Sequence, residues 1–324
     1  MIASWLPLAD GLSTGRLFLC PKSHHFPFST FSIQYMINMV SSSNAHGIDR
    51  WRKNGGIQLD KTSVIGLILG IISIGLGMYF KGVSPAVLIN PAAILIILVG
   101  TAAAVIIAFP TREIKKVPKL LKIIFTESSA PTVEQLIPLF VEWANIARRE
   151  GLLALEAKLD DVDDPFLRNG LSMAIDGQTQ EFIRDVMTEE VAAMEERHEA
   201  NAAIFTQAGT YAPTLGVLGA VVGLIAALGN MENIAELGQA ISAAFVATML
   251  GIFTGYVLWH PFANKLRRKS KEEAKVRYIM IEGVLSILEG QAPRTIEQKL
   301  ASYLPESERQ QSIEPQKEGE AANG

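Results

Sequence analysis

The chain has 324 residues, 49% of them hydrophobic and 19% charged, with a formal net charge of -4. That balance gives no general attraction for nucleic acid. The single cysteine, Cys20, excludes an intrachain disulfide framework and any cysteine-based zinc site. The five histidines are scattered and form no metal-ligand pattern.

Residues 1–58 differ in character from the rest of the chain. They hold Cys20, three of the five histidines and a serine run at Ser41 to Ser43, with no sustained apolar period. Met1 to Ala9 has no basic residue and no compact apolar core comes after it, so this is not a secretory signal. It reads as a disordered or adventitious extension, with residues 26–39 a weakly amphipathic alternative.

Residues 59–110 are predicted to hold two membrane helices. The first is the uncharged run 62–80 between Lys61 and Lys81, whose Gly66, Gly70, Gly75 and Gly77 suit close helix contact. After a turn containing Pro85, the second is predicted over 86–109, with Asn90 and Pro91 near its entrance. Arg112, Lys115, Lys116, Lys119 and Lys122 come directly after it, and such clusters mark the cytoplasmic side.

Residues 111–204 are polar and mostly helical, with acidic residues in excess, and form a cytoplasmic domain. Thr132 and Gln135 make a capping box ahead of the periodic apolar Leu136, Phe140, Trp143 and Ile146. The Asp160 to Asp164 cluster reads as a solvated turn, and a helix from Thr179 to about His198 runs toward the third span.

The chain is organised around residues 205–262. No charged side chain occurs in 200–231 or in 237–264, and each stretch exceeds the roughly 20 residues needed to cross a bilayer. They are predicted to form a transmembrane hairpin whose turn carries Glu232 and Glu236 and faces outward. Lys265, Arg267, Arg268, Lys269 and Lys271 place its far end in the cytoplasm. Residues 263–324 then give a basic amphipathic helix to about Glu289 and, beyond Pro305, a polar tail read as disordered. The predicted fold class is an all-α membrane protein: four transmembrane helices, a large helical cytoplasmic domain between spans two and three, a basic C-terminal helix, and both termini inside.

No phosphate loop, nucleophile elbow or metal-ligand pair at helical spacing occurs, so an enzyme is not indicated and no cofactor is called for. His260 and His198 read as an interfacial polar cap and part of a solvated helix. The four spans contain no Asp, Glu, Lys or Arg, which an ion conductor ordinarily needs. They carry Thr206, Thr210 and Thr214 at successive fourth positions, Thr248, and Gly251-x-x-x-Gly255. Small residues at these spacings are first of all a packing device; the sharper reading is a hydroxyl-lined path whose carboxylate comes from another chain. Pro213, flanked by Gly209 and Gly216, interrupts the third span as a static kink or a hinge. Pro261 marks the end of the fourth span or transmits that movement.

Three stretches carry a resemblance: YAPTLGVLGAVVG at 211–223, the segment 251–270 ending HPFANKLRRKS, and ARREGLLALE at 147–156. In this order on four spans they resemble the MotA family of flagellar motor stator subunits, most closely the Bacillus type, over about 59–304. The resemblance implies a subunit that couples ion flow, protons above sodium, to rotation. It implies a homo-pentamer around two MotB chains, a MotB aspartate as the ion site, and the rotor protein FliG as partner. Arg148 and Glu156 match the family's rotor-contact charges; Pro213, Pro261 and Thr248 match its channel and hinge positions, beside Thr210 and Thr214. The family's start, Met followed by Asp-Lys-Thr-Ser, corresponds to Leu59 through Ser63, so Leu59 is the expected first residue. A subunit of the TolQ or ExbB type is the nearest alternative, but such proteins have three spans. A self-contained transporter is disfavoured by the absence of intramembrane charge and of repeats.

Overall fold

The computed structural model describes residues 59–127, 131–229, 234–306 and 309. The extension at 1–58 and most of the tail past Pro305 lie outside the described residues. Eight principal helices occur in order: α1 (Lys61–Phe80), α2 (Pro91–Ala108), α3 (Val117–Phe125), α4 (Val133–Glu150), α5 (Pro165–Ile175), α6 (Gln180–Leu228), α7 (Ile234–Leu288) and α8 (Pro293–Ala301). Among the described residues there is no sheet, only an isolated bridge between Leu59 and Thr126.

Four helices, α1, α2, α6 and α7, are long and apolar enough to span a membrane. The second begins later than the sequence indicates, at Pro91 instead of 86. Residues 85–88 form a separate 3-10 turn capped by Ser84. Asn90 then caps α2 by accepting from the N–H groups of Ala92 and Ala93, and Pro91 takes the first helical position, where no N–H is needed. Within α2 the segment Leu95–Val99 widens to a π-turn.

The long helices α6 and α7 set the architecture. The run that starts at the Thr179 cap continues without a break through the third span as one helix of 49 residues. The fourth span likewise continues as one run of 55 residues, with a π-helical segment at Thr254–Trp259. Pairing of α6 and α7 therefore carries the membrane hairpin straight into the polar body.

That body is a helical cluster around a single core. Phe140 and Trp143 of α4 meet edge to face at 5.6 Å, and Phe140 lies where a Cβ on Gly283 of α7 would meet its ring at 2.5 Å. Leu171 of α5, Ile183 and Met187 of α6, Ile279 and Leu285 of α7 and Ile296 of α8 are also fully buried. Around the rim, Arg277 stacks over Phe166 at 4.9 Å and pairs with Glu273 at 3.0 Å. The Thr132–Gln135 capping box opens α4 as expected, the Gln135 side chain accepting from the Thr132 N–H at 3.1 Å. The aspartate-rich stretch is more ordered than a solvated turn: Leu152–Asp161 is a 3-10 segment, and Asp164 caps α5 through the Leu167 N–H.

A polar junction closes the base of the spans. Asp60 caps α1, accepting from the N–H groups of Thr62 and Ser63, and its carboxylate pairs with Lys265 of α7. The Asp60 N–H donates to the Phe125 carbonyl at 2.9 Å, and Lys269 donates to the carbonyls of Ile123 and Thr126 at the end of α3. Burial alone would raise the Asp60 carboxyl, but hydrogen bonds from Lys265 and Thr62 hold it well below the usual carboxylate range.

Candidate functional site

In a lipid environment, apolar surface gives no drive for helix pairing, so close contact must come from small residues. The α6–α7 crossing is built this way. A Cβ on Gly216 would lie 2.9 Å from both the Ala247 carbonyl oxygen and Gly251 Cα, and one on Gly251 would lie 2.7 Å from the Ala212 carbonyl oxygen. Further along, Gly219 and Gly223 face the Ala247 and Ala244 methyls. The glycine pair at 251 and 255 is thus a packing device, both residues being buried.

Pro213 gives this contact its particular character. It sits inside α6 and has no N–H for the Gly209 carbonyl one turn earlier. On α7, Gly255 occupies the facing position: a Cβ there would lie 2.8 Å from the Gly209 oxygen and 2.8 Å from Pro213 Cγ. Gly255 is also within the π-helical segment Thr254–Trp259. A missing backbone hydrogen bond in α6 and a π-helical segment in α7 therefore face one another. The Thr254 hydroxyl, 2.9 Å from the Leu250 carbonyl and 3.1 Å from that of Gly251, supplies a donor where the wider turn begins. Immediately below, the His260 ring packs where Gly209 has no side chain and lies 5.3 Å from the Tyr256 ring.

The threonines lie around this contact. Thr210 donates to the Thr206 carbonyl at 3.1 Å, Thr214 to that of Tyr211 at 2.7 Å, and Thr248 to that of Ala244 at 3.3 Å. Each hydroxyl proton is used on its own helix, leaving oxygen lone pairs as acceptors. Thr210 and Thr214 are exposed beside Pro213; Thr248 is half-buried, two turns from Gly255. Thr206 also accepts from Arg267 at 3.0 Å, so it is tied to the base of α7. Pro261 is exposed and lines a groove against α1, away from the Pro213–Gly255 contact.

The two predicted rotor-contact charges are both exposed, on consecutive elements of the body. Arg148 is exposed in the last turn of α4, and Gly151, at φ 89°, reverses the chain. Leu155 then anchors the 3-10 segment in the core while Glu156 stays exposed. Neither charge has an ion-pair partner among the described residues, whereas nearby Lys158 and Glu142 pair at 3.4 Å.

Sequence reasoning missed the contact of Gly255 with Pro213, although the Gly-x-x-x-Gly spacing signalled that some close approach occurs there. It also missed the Asp60–Lys265 junction, which no local pattern announces. His198, read as part of a solvated helix, is half-buried with Nδ1 3.0 Å from the buried Ser270 Oγ. Burial lowers its pKa, with Glu273 opposing.

Four helices long and apolar enough to span a membrane, a glycine-closed hairpin without internal charge and a helical body continuous with it are the architecture of a channel-type membrane subunit. The chain belongs to the MotA/TolQ/ExbB proton channel family, whose profile matches residues 158–278. It is 69% identical over 266 residues to Motility protein A of Bacillus subtilis, covering 82% of this chain and 97% of that one. The flagellar MotAB stator complex from Bacillus subtilis matches with a TM-score of 0.76 at 70% identity, over 79% of this chain and 100% of that one. MotAB of C. jejuni matches with a TM-score of 0.73 at 33% identity, over 76% and 96%.

Proposed function

We propose that this chain is a stator subunit of the bacterial flagellar motor, embedded in the cell membrane, coupling proton flow to rotation together with MotB. The observation that carries the reading is the contact of Pro213 with Gly255 inside two helical stretches, 200–231 and 237–264, that contain no ionisable carboxylate. A path of this kind needs its titratable group from a neighbour, and the partner in the matched complexes is MotB. Five copies around two MotB chains follow the family pattern. The basic clusters after α2 and within α7 support an orientation with both termini in the cytoplasm.

In this mechanism, protonation of the MotB aspartate removes a charge beside Pro213, Thr210, Thr214 and Thr248. The two protonation states then favour different packings of α6 on α7. A proton crossing about 150 mV releases roughly 3.5 kcal/mol, enough to rearrange one or two hydrogen bonds without unfolding anything. Because α6 and α7 run unbroken into the body, the change reaches Arg148 and Glu156, the residues assigned to FliG. Opposed charges at such a rim govern encounter more than grip, which suits a contact made and released repeatedly.

Replacing Pro213 with Ala is expected to lower swimming torque sharply while membrane insertion and association with MotB persist. Normal torque in that variant overturns the hinge. Swimming speed that tracks external sodium at fixed pH and survives an uncoupler overturns the proton assignment.

A further inference from the structure

The mechanism leaves His260 unused. Within the stretches 200–231 and 237–264, which hold no Asp, Glu, Lys or Arg, it is the one histidine. Imidazole is the side-chain group that both takes and gives a proton most readily in the physiological range. Among the described residues neither ring nitrogen of His260 has a hydrogen-bond partner, so both are open to proton exchange.

The π-turn decides where this ring stands. The His260 N–H reaches the Gly255 carbonyl, five residues back, so this turn of α7 holds one residue more than a regular one. A regular helix would carry residue 260 about 140° round from Gly255. The wider turn brings it back toward the side of Thr248, Ile252 and Tyr256, which precede it at fourth positions, and its ring lies 5.3 Å from that of Tyr256. Ile252 is 49% and Tyr256 64% exposed, so the chain's own spans leave this side of α7 open.

His260 is also fixed against α6. Its ring fills the place where Gly209 has no side chain, and Gly209 lies four residues before Pro213, about 6 Å along the helix toward the body. Seven residues beyond His260, Arg267 donates to the Thr206 hydroxyl at 3.0 Å and to the exposed Glu199 at 2.7 Å. From the Pro213 level toward the body, the α6–α7 pair therefore presents first His260 and then the Arg267–Glu199 pair, where the charge-free stretches end.

We propose that His260 takes the proton from the MotB aspartic acid and hands it to water on the body side of the membrane, an assignment that rests on the proton-coupled function above. The O–H bond of the acid breaks as an N–H bond forms on the imidazole. The imidazolium then gives its proton to water at the level of Glu199 and Arg267, and the ring returns to its neutral form. The carboxylate left behind is ready for the next proton from outside. Tyr256 and Thr248, on the same side of α7, carry hydroxyls too weakly basic for this step.

The test is the swimming speed of cells whose only copy of this subunit is substituted, with MotB association checked by co-purification. His260→Phe keeps a ring against Gly209 but carries no nitrogen, and it is expected to lower speed about tenfold or more, as loss of a positioned proton-transfer group does. His260→Ala is expected to lose speed likewise and to regain a saturable part of it in added imidazole, with wild-type cells in the same imidazole as the baseline. Normal swimming of His260→Phe overturns the proposal. A loss in His260→Ala that imidazole does not restore also overturns it, and so does failure of both variants to associate with MotB, because packing against Gly209 then accounts for the residue. Wild-type swimming that persists under an uncoupler removes the proton reading itself, whereas uncoupler-sensitive swimming unaffected by His260→Phe removes this inference alone.

Discussion

The same two helices, α6 and α7, are held together in two different ways along their length. In the membrane half the contact is backbone on backbone: Gly216 on Gly251, and Gly255 on the Gly209 carbonyl and the Pro213 ring. In the body the contact is through large side chains, with Ile183, Met187, Ile279 and Leu285 fully buried and ion pairs on the rim. The difference arises from the solvent. Water drives large apolar groups together, whereas hydrocarbon does not distinguish a leucine from itself, so shape alone must hold the spans. A contact built on shape has little tolerance for added bulk, and one built on burial has little tolerance for its removal.

Four experiments sharpen that contrast, beginning with the largest effect. Gly216→Leu is expected to abolish the folded hairpin, because the Ala247 oxygen and Gly251 Cα leave no room, while Gly238→Leu, which meets nothing within 4 Å, is expected to be silent. Protease resistance of the membrane fraction reads both; a folded Gly216→Leu protein breaks the comparison. Next, Phe140→Ala is expected to cost about 3–5 kcal/mol by emptying the centre of the body, measured by denaturant unfolding. The hairpin contact should survive it.

Asp60→Asn is expected to cost about 2 kcal/mol by weakening the charged hydrogen bonds at the base of α1. Faster amide exchange in the first turn of α1 reports it. The folded carboxyl lies below its unfolded value, so its stabilisation is complete above the ordinary aspartate pKa of about 3.9 and is lost only as pH falls through the folded value. The junction should therefore be insensitive across neutral pH.

His198 gives the smallest effect. Its folded pKa is lowered by burial against Ser270, with Glu273, Glu195, Arg197 and Arg277 as the charges around it. Its contribution is complete above about pH 6.5 and lost as pH falls from there through the folded value. His198→Gln should flatten the thermal-stability profile in that window, and an unchanged slope would remove His198 from the account.

Much of the fold was legible because charge marks boundaries. Lys61 and Lys81 bracket α1, and the empty stretches at 200–231 and 237–264 announced α6 and α7. Their continuity into the body was harder to read, since the hydrophobic pattern changes character at the bilayer surface while the backbone does not. The start of α2 was misplaced because apolar residues of the 3-10 turn at Pro85–Leu88 look like the helix they precede. The π-segment at Thr254–Trp259 leaves no pattern in composition; it becomes visible only when Gly255 is seen facing Pro213. Arg148 and Glu156 stood out through resemblance, not through spacing, because exposed charges on a polar helix look alike. Between them the chain passes Gly151, at φ 89°, and Leu155, which is fully buried.

The unbroken run of α6 has a geometric consequence. From Pro213 back to Gln180 the helix extends about 50 Å at 1.5 Å per residue. A tilt of about 5° at the proline would carry the far end some 4 Å sideways, roughly the width of a side chain. A rearrangement too small to open a gap between two glycines inside the bilayer would thereby be magnified, by length alone, at the Gln180 end of the helix.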